Sequence, residues 1–199
     1  GVAIGEFEHT LAGSDFISDK IGNFKFVISA NSFFQTNTRG AEILYQTVAG
    51  YAALNGSETV LDLYSGTGTI PIMLSGLCKS LTGIEIAESA VADAERNCRN
   101  NSVSNCSFIQ GDIRQCLSKV TSRPDLLIID PPRAGMHKDV VKQVLNLGVE
   151  RIIYVSCNPA TLARDLGMMR EVYRPVEVQP VDMFPHTYHI EAVAKLVKN

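Results

Sequence analysis

A doubly wound α/β fold is expected: a mostly parallel, seven-stranded sheet with helices on both faces and an antiparallel edge strand. Three observations predict it. From residue 56 onward, short β-branched or apolar runs alternate with stretches of helical spacing, the pattern of a parallel sheet built from βαβ units. The chain ends on two strand-like runs with no helix between them. A Gly-x-Gly turn, Gly66-Thr67-Gly68, joins the first strand of the alternating region to its first helix, where open α/β sheets hold ligands.

The elements follow in order. Phe24 to Ile28 alternates like a strand, and Ile4 to His9 is read as an earlier one, with Ala12 to Asp15 supplying turn chemistry. From Thr38 to about Leu54, apolar residues at Ala41, Leu44, Tyr45, Val48, Tyr51 and Ala52 keep helical spacing. Then come a strand over 59–64, a helix over 69–76, a strand over 81–86 and a helix over 88–100. A short strand over 106–109, a short helix over 113–120 and a strand over 125–130 come next. Helices over 138–147 and 159–171 flank a strand over 151–156, and Val176–Val181 and Ile190–Val197 close the sheet. The expected division is an amino-terminal strand and helix extension over 1–55 and a Rossmann-like core over 56–199, together one domain of 199 residues.

Composition excludes several classes. No run approaches the roughly 20 apolar residues of a membrane span, and the start lacks the basic-then-apolar layout of a signal peptide, so an intracellular domain is expected. The five cysteines are odd in number and form no C-x-x-C pair, which argues against a disulfide framework and a zinc ribbon. His186 and His189 lack a third clustered ligand, so no metal is expected. The formal charge of −3 is not that of a free-standing nucleic-acid binder. It is unevenly spread: residues 1–132 carry 9 Lys+Arg against 14 Asp+Glu, and residues 133–199 carry 9 against 7, which leaves room for a polyanion near the carboxy-terminal half. Arg164 and Asp165 read as an ordinary surface pair worth at most about 1 kcal/mol.

The glycine loop runs Asp62-Leu63-Tyr64-Ser65-Gly66-Thr67-Gly68-Thr69. A dinucleotide fingerprint needs a third glycine where Pro71 stands, and no Gly-Lys-Ser/Thr follows as in a Walker loop. A nucleoside cofactor without a polyphosphate remains, with Gly66 and Gly68 letting it approach the backbone. Glu85 ends the second strand of this region, about 20 residues on, where an acid can accept from ribose hydroxyls. Asp112 ends the third, where a carboxylate can accept from an adenine amino group. Glycine loop and two acids in register describe an S-adenosyl-L-methionine pocket of the class I methyltransferase type.

The acceptor is read from two further loops. Asp130-Pro131-Pro132-Arg133 follows the fourth strand and lacks the aromatic ring that amino methyltransferases stack on a base. Cys157, in Ser156-Cys157-Asn158-Pro159, lies where a strand meets a helix N-terminus; the dipole there favours thiolate and lowers a free pKa of about 8.5. A pyrimidine C5 is too weak a nucleophile to take a methyl group unaided, and addition of a thiolate at C6 activates it. A base must then remove the C5 proton, and Glu191, an acid inside the apolar run 190–197, is the candidate. Cys157 as a structural thiol and Glu191 as an outward-facing charge beside Lys195 are the alternatives.

Five blocks together, Asn31 to Asn37, Asp62 to Gly68, Asp130 to Gly135, Ser156 to Pro159 and Asp182 through Glu191, resemble the RNA (uracil-5-)-methyltransferase family. The resemblance implies methyl transfer from S-adenosyl-L-methionine to C5 of a uridine in RNA, with tRNA the expected substrate. It implies Cys157 as nucleophile, Glu191 as base, and Gln35, Tyr64, Glu85 and Asp130 at the cofactor, with Gln35 and Asp130 also orienting the base. Position 69 is Thr where members often have Asn, and position 65 is Ser where many have Cys. The amino-terminal RNA-binding region typical of the family is expected to be missing, and a monomer is expected. The competing functions are cytosine-C5 methylation of RNA and a catalytically silent, cofactor-binding RNA module.

Overall fold

Buried side chains on the central strands alternate strictly between two apolar layers, and this alternation builds the molecule. The computed structural model describes residues 9–120 and 123–199. Val60, Leu126, Ile128, Ile153, Val155 and Val193 point to one layer, shared with Leu44 and Val48 of a long helix. Leu61, Leu63, Leu127, Ile129, Ile152, Tyr154, Ala194 and Leu196 point to the other, shared with Val140, Val141, Val144 and Leu162. A period of two on strands that are buried on both faces gives each layer its own apolar set.

Among the described residues the chain begins with a hairpin, β1 (Phe16–Ile21) and β2 (Phe24–Ser29), followed by α1 (Thr38–Ala52). Then come β3 (Thr59–Leu63), α2 (Thr69–Leu74), β4 (Ser80–Glu85), α3 (Glu88–Asn100), β5 (Cys106–Gln110) and α4 (Ile113–Cys116). β6 (Leu126–Ile129), α5 (Lys138–Leu147), β7 (Arg151–Ser156), α6 (Pro159–Met169), β8 (Tyr173–Val181) and β9 (Glu191–Lys198) complete it. Short 3₁₀ turns at Ser75–Leu77 and Leu117–Lys119 end the stretches expected to be continuous helix.

The sheet order is β5-β4-β3-β6-β7-β9-β8. β3 through β7 are parallel, and β9 runs antiparallel to both β7 and β8. The expected seven strands and the antiparallel one are therefore present, but the antiparallel strand is β9, one place in from the edge, and β8 is outermost. β8 is exposed along Arg174–Pro180, interrupted by a register shift between Pro175 and Glu177. Among the described residues no helix is long and apolar enough to cross a membrane.

The amino-terminal region departs from the expectation. The strand read over Ile4 to His9 lies, but for His9, outside the described residues, and His9 is in no strand. The partner of β2 is instead β1, joined through Gly22 at φ +58°, a left-handed turn position that suits glycine. Its sequence Phe-Ile-Ser-Asp-Lys-Ile hides the alternation because most of it is exposed on both faces.

α1, α4, α5 and α6 start on side-chain caps, whereas α2 and α3 have none. Asn37 accepts from Gly40 N at 3.1 Å and Asn158 from Ala160 N at 3.1 Å, with Pro159 at the first turn as its fixed φ favours. The Arg164–Asp165 pair is not the surface pair expected. Asp165 is fully buried and accepts from Met136 N (2.8 Å), Tyr154 Oη (2.5 Å) and Arg164 Nε (2.9 Å). Arg164 also donates to Ala134 O at 2.9 Å and Met136 O at 3.2 Å, so the pair anchors the loop that follows β6. A helical position looks exposed by spacing alone; here the β6–α5 loop folds over it. Arg164 is half exposed and stays solvated, but removing the carboxylate leaves the buried Met136 N–H and Tyr154 hydroxyl without their acceptor, so Asp165→Ala should lose about 3–5 kcal/mol of stability. Its thermal midpoint should fall by about 6–20 °C, and calorimetric unfolding within about 1 kcal/mol of wild type would contradict this reading.

Candidate active site

Parallel strands end together, and their carboxyl ends collect the residues that sequence reading singled out. Leu63 pairs with Ile84 and Ile129, and Ile129 with Tyr154, so the loops after β3, β4, β6 and β7 open on one edge of the sheet. β9 runs the opposite way and starts at that same edge. Its pairing with β7 puts Ser156 opposite Ala192, so Cys157 and Glu191, the next residues outward on each strand, lie near each other at this edge, close enough for the Glu191 charge to act on the thiol. Cys157 is half-buried and Glu191 is 9% exposed.

The electrostatics of Cys157 differ from the sequence expectation. Burial raises the thiol above its ordinary value, and the charges of Glu191 and then Asp130 raise it further, while Arg133 acts the other way. The dipole of α6 at Asn158–Pro159 does not outweigh desolvation beside two carboxylates. Glu191 is itself raised by burial. Asp130, next along from β6, has its N–H on Leu63 O at 3.3 Å and is pushed up to about 7 by burial and then by Glu191.

Asp62 lies one layer below. It is fully buried, neither carboxylate oxygen has a hydrogen-bond partner, and burial, Asp130 and Glu85 hold its pKa well above the carboxylate range. Sequence reading counted Asp62 within a motif but gave it no role; a lone acid in the apolar run Thr59–Leu63 was the available signal. Tyr45 of α1, equally unassigned, is also buried and feels Asp130, Glu191 and Asp62. Its position on an apolar helical stripe made it look like core.

The glycine loop is shaped by strain and by packing. Tyr64 sits at φ +67°, a conformation costly for a bulky residue, and its N–H bonds Ile84 O at 3.0 Å. Its hydroxyl is pushed up to about 12, chiefly by burial. Gly66, at φ +52°, leaves open space where a Cβ would be. Gly68 has a different reason to be glycine: a Cβ there would come within 2.9 Å of Ala94 Cβ and Phe108 Cζ. Glu85 accepts from Gly66 N at 3.0 Å, Ile86 N at 2.8 Å and Ala87 N at 2.9 Å, tying the loop to the end of β4. Ser65 Oγ is buried without a hydrogen-bond partner, and Thr69 stands 3.3 Å from Thr67 hydroxyl to hydroxyl.

Asp112 and Gln35 are the two other residues expected at the cofactor. Asp112 caps α4 through Arg114 N at 2.9 Å, and both its oxygens also bond the Arg114 guanidinium, which holds it down to about 2. Its carboxylate bonds Arg114 and keeps acceptor capacity for a further donor. Gln35 lies between two anchors: Ser32 Oγ donates to Asp93 at 2.7 Å, and Asn37 Nδ2 donates to Met183 O at 2.6 Å. Asn31 is also engaged.

At the rim, Arg133 Nη1 is 3.0 Å from His189 Nδ1, and Tyr188, 85% exposed, lies against His189 with ring centroids 4.3 Å apart. Arg133 O accepts from Asn158 Nδ2 at 3.3 Å and Thr161 Oγ1 at 3.2 Å, which fixes this loop to the start of α6 beside Cys157. No group of three or more His, Cys, Asp or Glu suited to a metal ion occurs among the described residues.

The arrangement fits the expected donor. S-adenosyl-L-methionine carries a sulfonium and an ammonium group. The desolvated acids Asp62 and Asp130, without an ion-pair partner among the described residues, suit positive charge, and the open side of Gly66 beside Glu85 leaves room for a nucleoside.

The comparisons agree with this geometry. The family model for tRNA (uracil-5-)-methyltransferase matches residues 13–199. An uncharacterized RNA methyltransferase of Chlorobaculum tepidum is 47% identical over 199 residues, covering 97% of this chain and 41% of that protein. One from Enterococcus faecalis is 45% identical over 201 residues, covering 99% and 44%. The chain thus spans less than half the length of these relatives. Among solved structures, Pyrococcus abyssi tRNA (uracil-54, C5)-methyltransferase in complex with S-adenosyl-L-homocysteine superposes with a TM-score of 0.81 at 40% identity, over 94% of this chain and 45% of that one. Trm5b from the same organism, 14% identical with a TM-score of 0.73 over 95% of this chain and 58% of that one, shares the fold alone. The family model's match from residue 13 to the last, with relatives 45–47% identical over nearly the whole chain, makes this chain a member of the tRNA (uracil-5-)-methyltransferase family.

Proposed function

We propose that this chain is the catalytic part of an S-adenosyl-L-methionine-dependent methyltransferase that modifies C5 of a uridine in RNA, with tRNA as the substrate class. The observation that carries the reading is the β7–β9 register, which sets Cys157 against Glu191 with Asp130 adjoining. Similarity to a tRNA uracil-54 C5 enzyme at 40% identity supports it.

When bound, S-adenosyl-L-methionine supplies an electrophilic methyl group and brings positive charge into a site rich in desolvated carboxylates. The chain's residues do the rest. Cys157, once its thiol proton has passed to solvent, adds as thiolate through Sγ to C6 of the uracil, forming one S–C bond and moving the ring's π electrons toward C5 and O4. C5 then attacks the methyl carbon; the methyl–sulfonium bond would break with its electron pair returning to sulfur, so that S-adenosyl-L-homocysteine would be the leaving group. Glu191 then removes the C5 proton; the electron pair of that C–H bond rebuilds the C5–C6 double bond, and Cys157 leaves as thiolate. Arg133 favours that thiolate on entry and departure alike. Burial that raises Glu191 strengthens it as a base. At the rim, Arg133 is placed to meet a phosphate and Tyr188 to stack on an unpaired base, the two contacts RNA recognition most often uses.

The decisive experiment uses full-length protein, S-adenosyl-L-methionine and tRNA containing 5-fluorouridine. Fluorine at C5 cannot be abstracted as a proton, so a covalent protein–RNA adduct should accumulate and be absent in Cys157→Ala. An adduct that persists without Cys157, or no adduct in the wild type, rules the mechanism out. Nucleoside analysis should give 5-methyluridine; 5-methylcytidine would reassign the base.

Glu191→Gln should methylate but not release normal RNA, with turnover reduced by about 10²–10⁴. Unchanged turnover with that variant would remove Glu191 from the base role.

The raised carboxyl of Asp130 also has a stability consequence. Because its folded value, about 7, lies above its ordinary one, its contribution to stability is complete below about pH 4 and is lost as pH rises through about 7. Free wild-type protein should therefore melt lower at pH 8 than at pH 5, and Asp130→Asn should shrink that difference; an equal difference in both proteins would contradict the assignment.

A further inference from the structure

Helix α3 holds the β1–β2 hairpin with side chains that take the place of a neighbouring strand. Asp93, Asn97 and Asn101 stand four residues apart, on one stripe, and read alternate residues of β2. Asn101 accepts from Lys25 N at 2.9 Å and donates to Lys25 O at 2.7 Å. Asn97 accepts from Val27 N at 2.7 Å and donates to Val27 O at 3.1 Å. Asp93 accepts from Ser29 N at 2.8 Å and Ser29 Oγ at 2.7 Å.

Two rungs reach further than the hairpin. Asn97, 0% exposed, also donates to Thr67 O at 3.2 Å, inside the glycine loop. Asp93, 2% exposed, also accepts from Ser32 Oγ at 2.7 Å, three residues before Gln35. Asn101 reaches neither. The glycine loop and the Gln35 segment are thus hung from adjacent turns of one helix.

We infer that Asp93 and Asn97 are positioning residues that set the affinity for S-adenosyl-L-methionine, acting through the glycine loop and the Ser32–Asn37 segment that they hold. The inference rests on the cofactor reading above. A loop already fixed in its bound shape loses less freedom when ligand arrives, so loosening either rung weakens binding without altering a ligand contact. A buried hydrogen-bonding group left unpaired is costly enough for an effect of about ten-fold.

The test compares the three rungs in the full-length protein, by calorimetric S-adenosyl-L-methionine binding, thermal midpoint and tRNA binding. Asn101→Ala should lower the midpoint while leaving cofactor affinity within about two-fold. Asp93→Ala and Asn97→Ala should weaken cofactor binding about ten-fold or more, with tRNA binding unchanged. Asp93→Asn, which keeps an acceptor for Ser29 N, should fall between Asp93→Ala and wild type, and it serves as the reading if the alanine variants do not fold. Equal weakening by Asn101→Ala, or wild-type cofactor affinity in the folded Asp93 variants, would make the ladder structural glue and overturn the inference. A wild-type protein that binds no S-adenosyl-L-methionine would instead bring down the cofactor reading, a failure visible before any variant is made.

Discussion

The pairing of β9 with β7 is the constraint on which the site depends. Strands of a parallel sheet deliver only their carboxyl ends to the ligand edge, so every residue they offer follows a strand. An antiparallel strand inserted among them delivers its beginning instead. That geometry lets Glu191, which opens β9, meet Cys157, which follows β7, although 34 positions and two elements separate them in sequence. Slipping the register by one residue would turn Glu191 toward the other face of the sheet and bury an apolar side chain in its place. The alternation of Ala192, Ala194 and Leu196 against Val193 in the two core layers resists that slip, so packing far from the chemistry holds the acid in place.

Around that pair the protein has removed water from more negative charge than it neutralises. Asp62, Asp130 and Glu191 are all raised, and among the described residues no arginine or lysine forms an ion pair with them. The same desolvation acts on Cys157, which explains why the helix dipole alone does not make it a thiolate. Nucleophile and base share one electrostatic setting, and positive charge entering it acts on both together.

Much of the fold was legible because parallel strands are short, apolar and punctuated by glycine and caps. β4, α3, β7 and α5 fall within a residue of their expected bounds. What was not legible depended on partners distant in sequence. β1 escaped notice because exposure on both faces erases alternation. Asp165 looked like a surface residue until the loop after β6 covered it. Asp112 was read for a ligand, and its bonds to Arg114, two residues on, were not foreseen. Site residues given roles from motifs, Cys157, Glu191 and Asp130, do gather at one edge; Asp62, inside a motif but given no role, and Tyr45, on an apolar helical stripe, owe their part to burial beside other acids, which motif and spacing do not reveal.

The outer margin of the sheet has a consequence of its own. β8 presents a long, solvent-facing rail, the kind of surface on which a second polypeptide could zip up. Pro175 and Pro180 strip it of two backbone donors, and the slip between Pro175 and Glu177 bends it out of true. Growth of the sheet by templating is therefore discouraged on that flank, and any domain that leans there must do so through side chains rather than by continuing the weave.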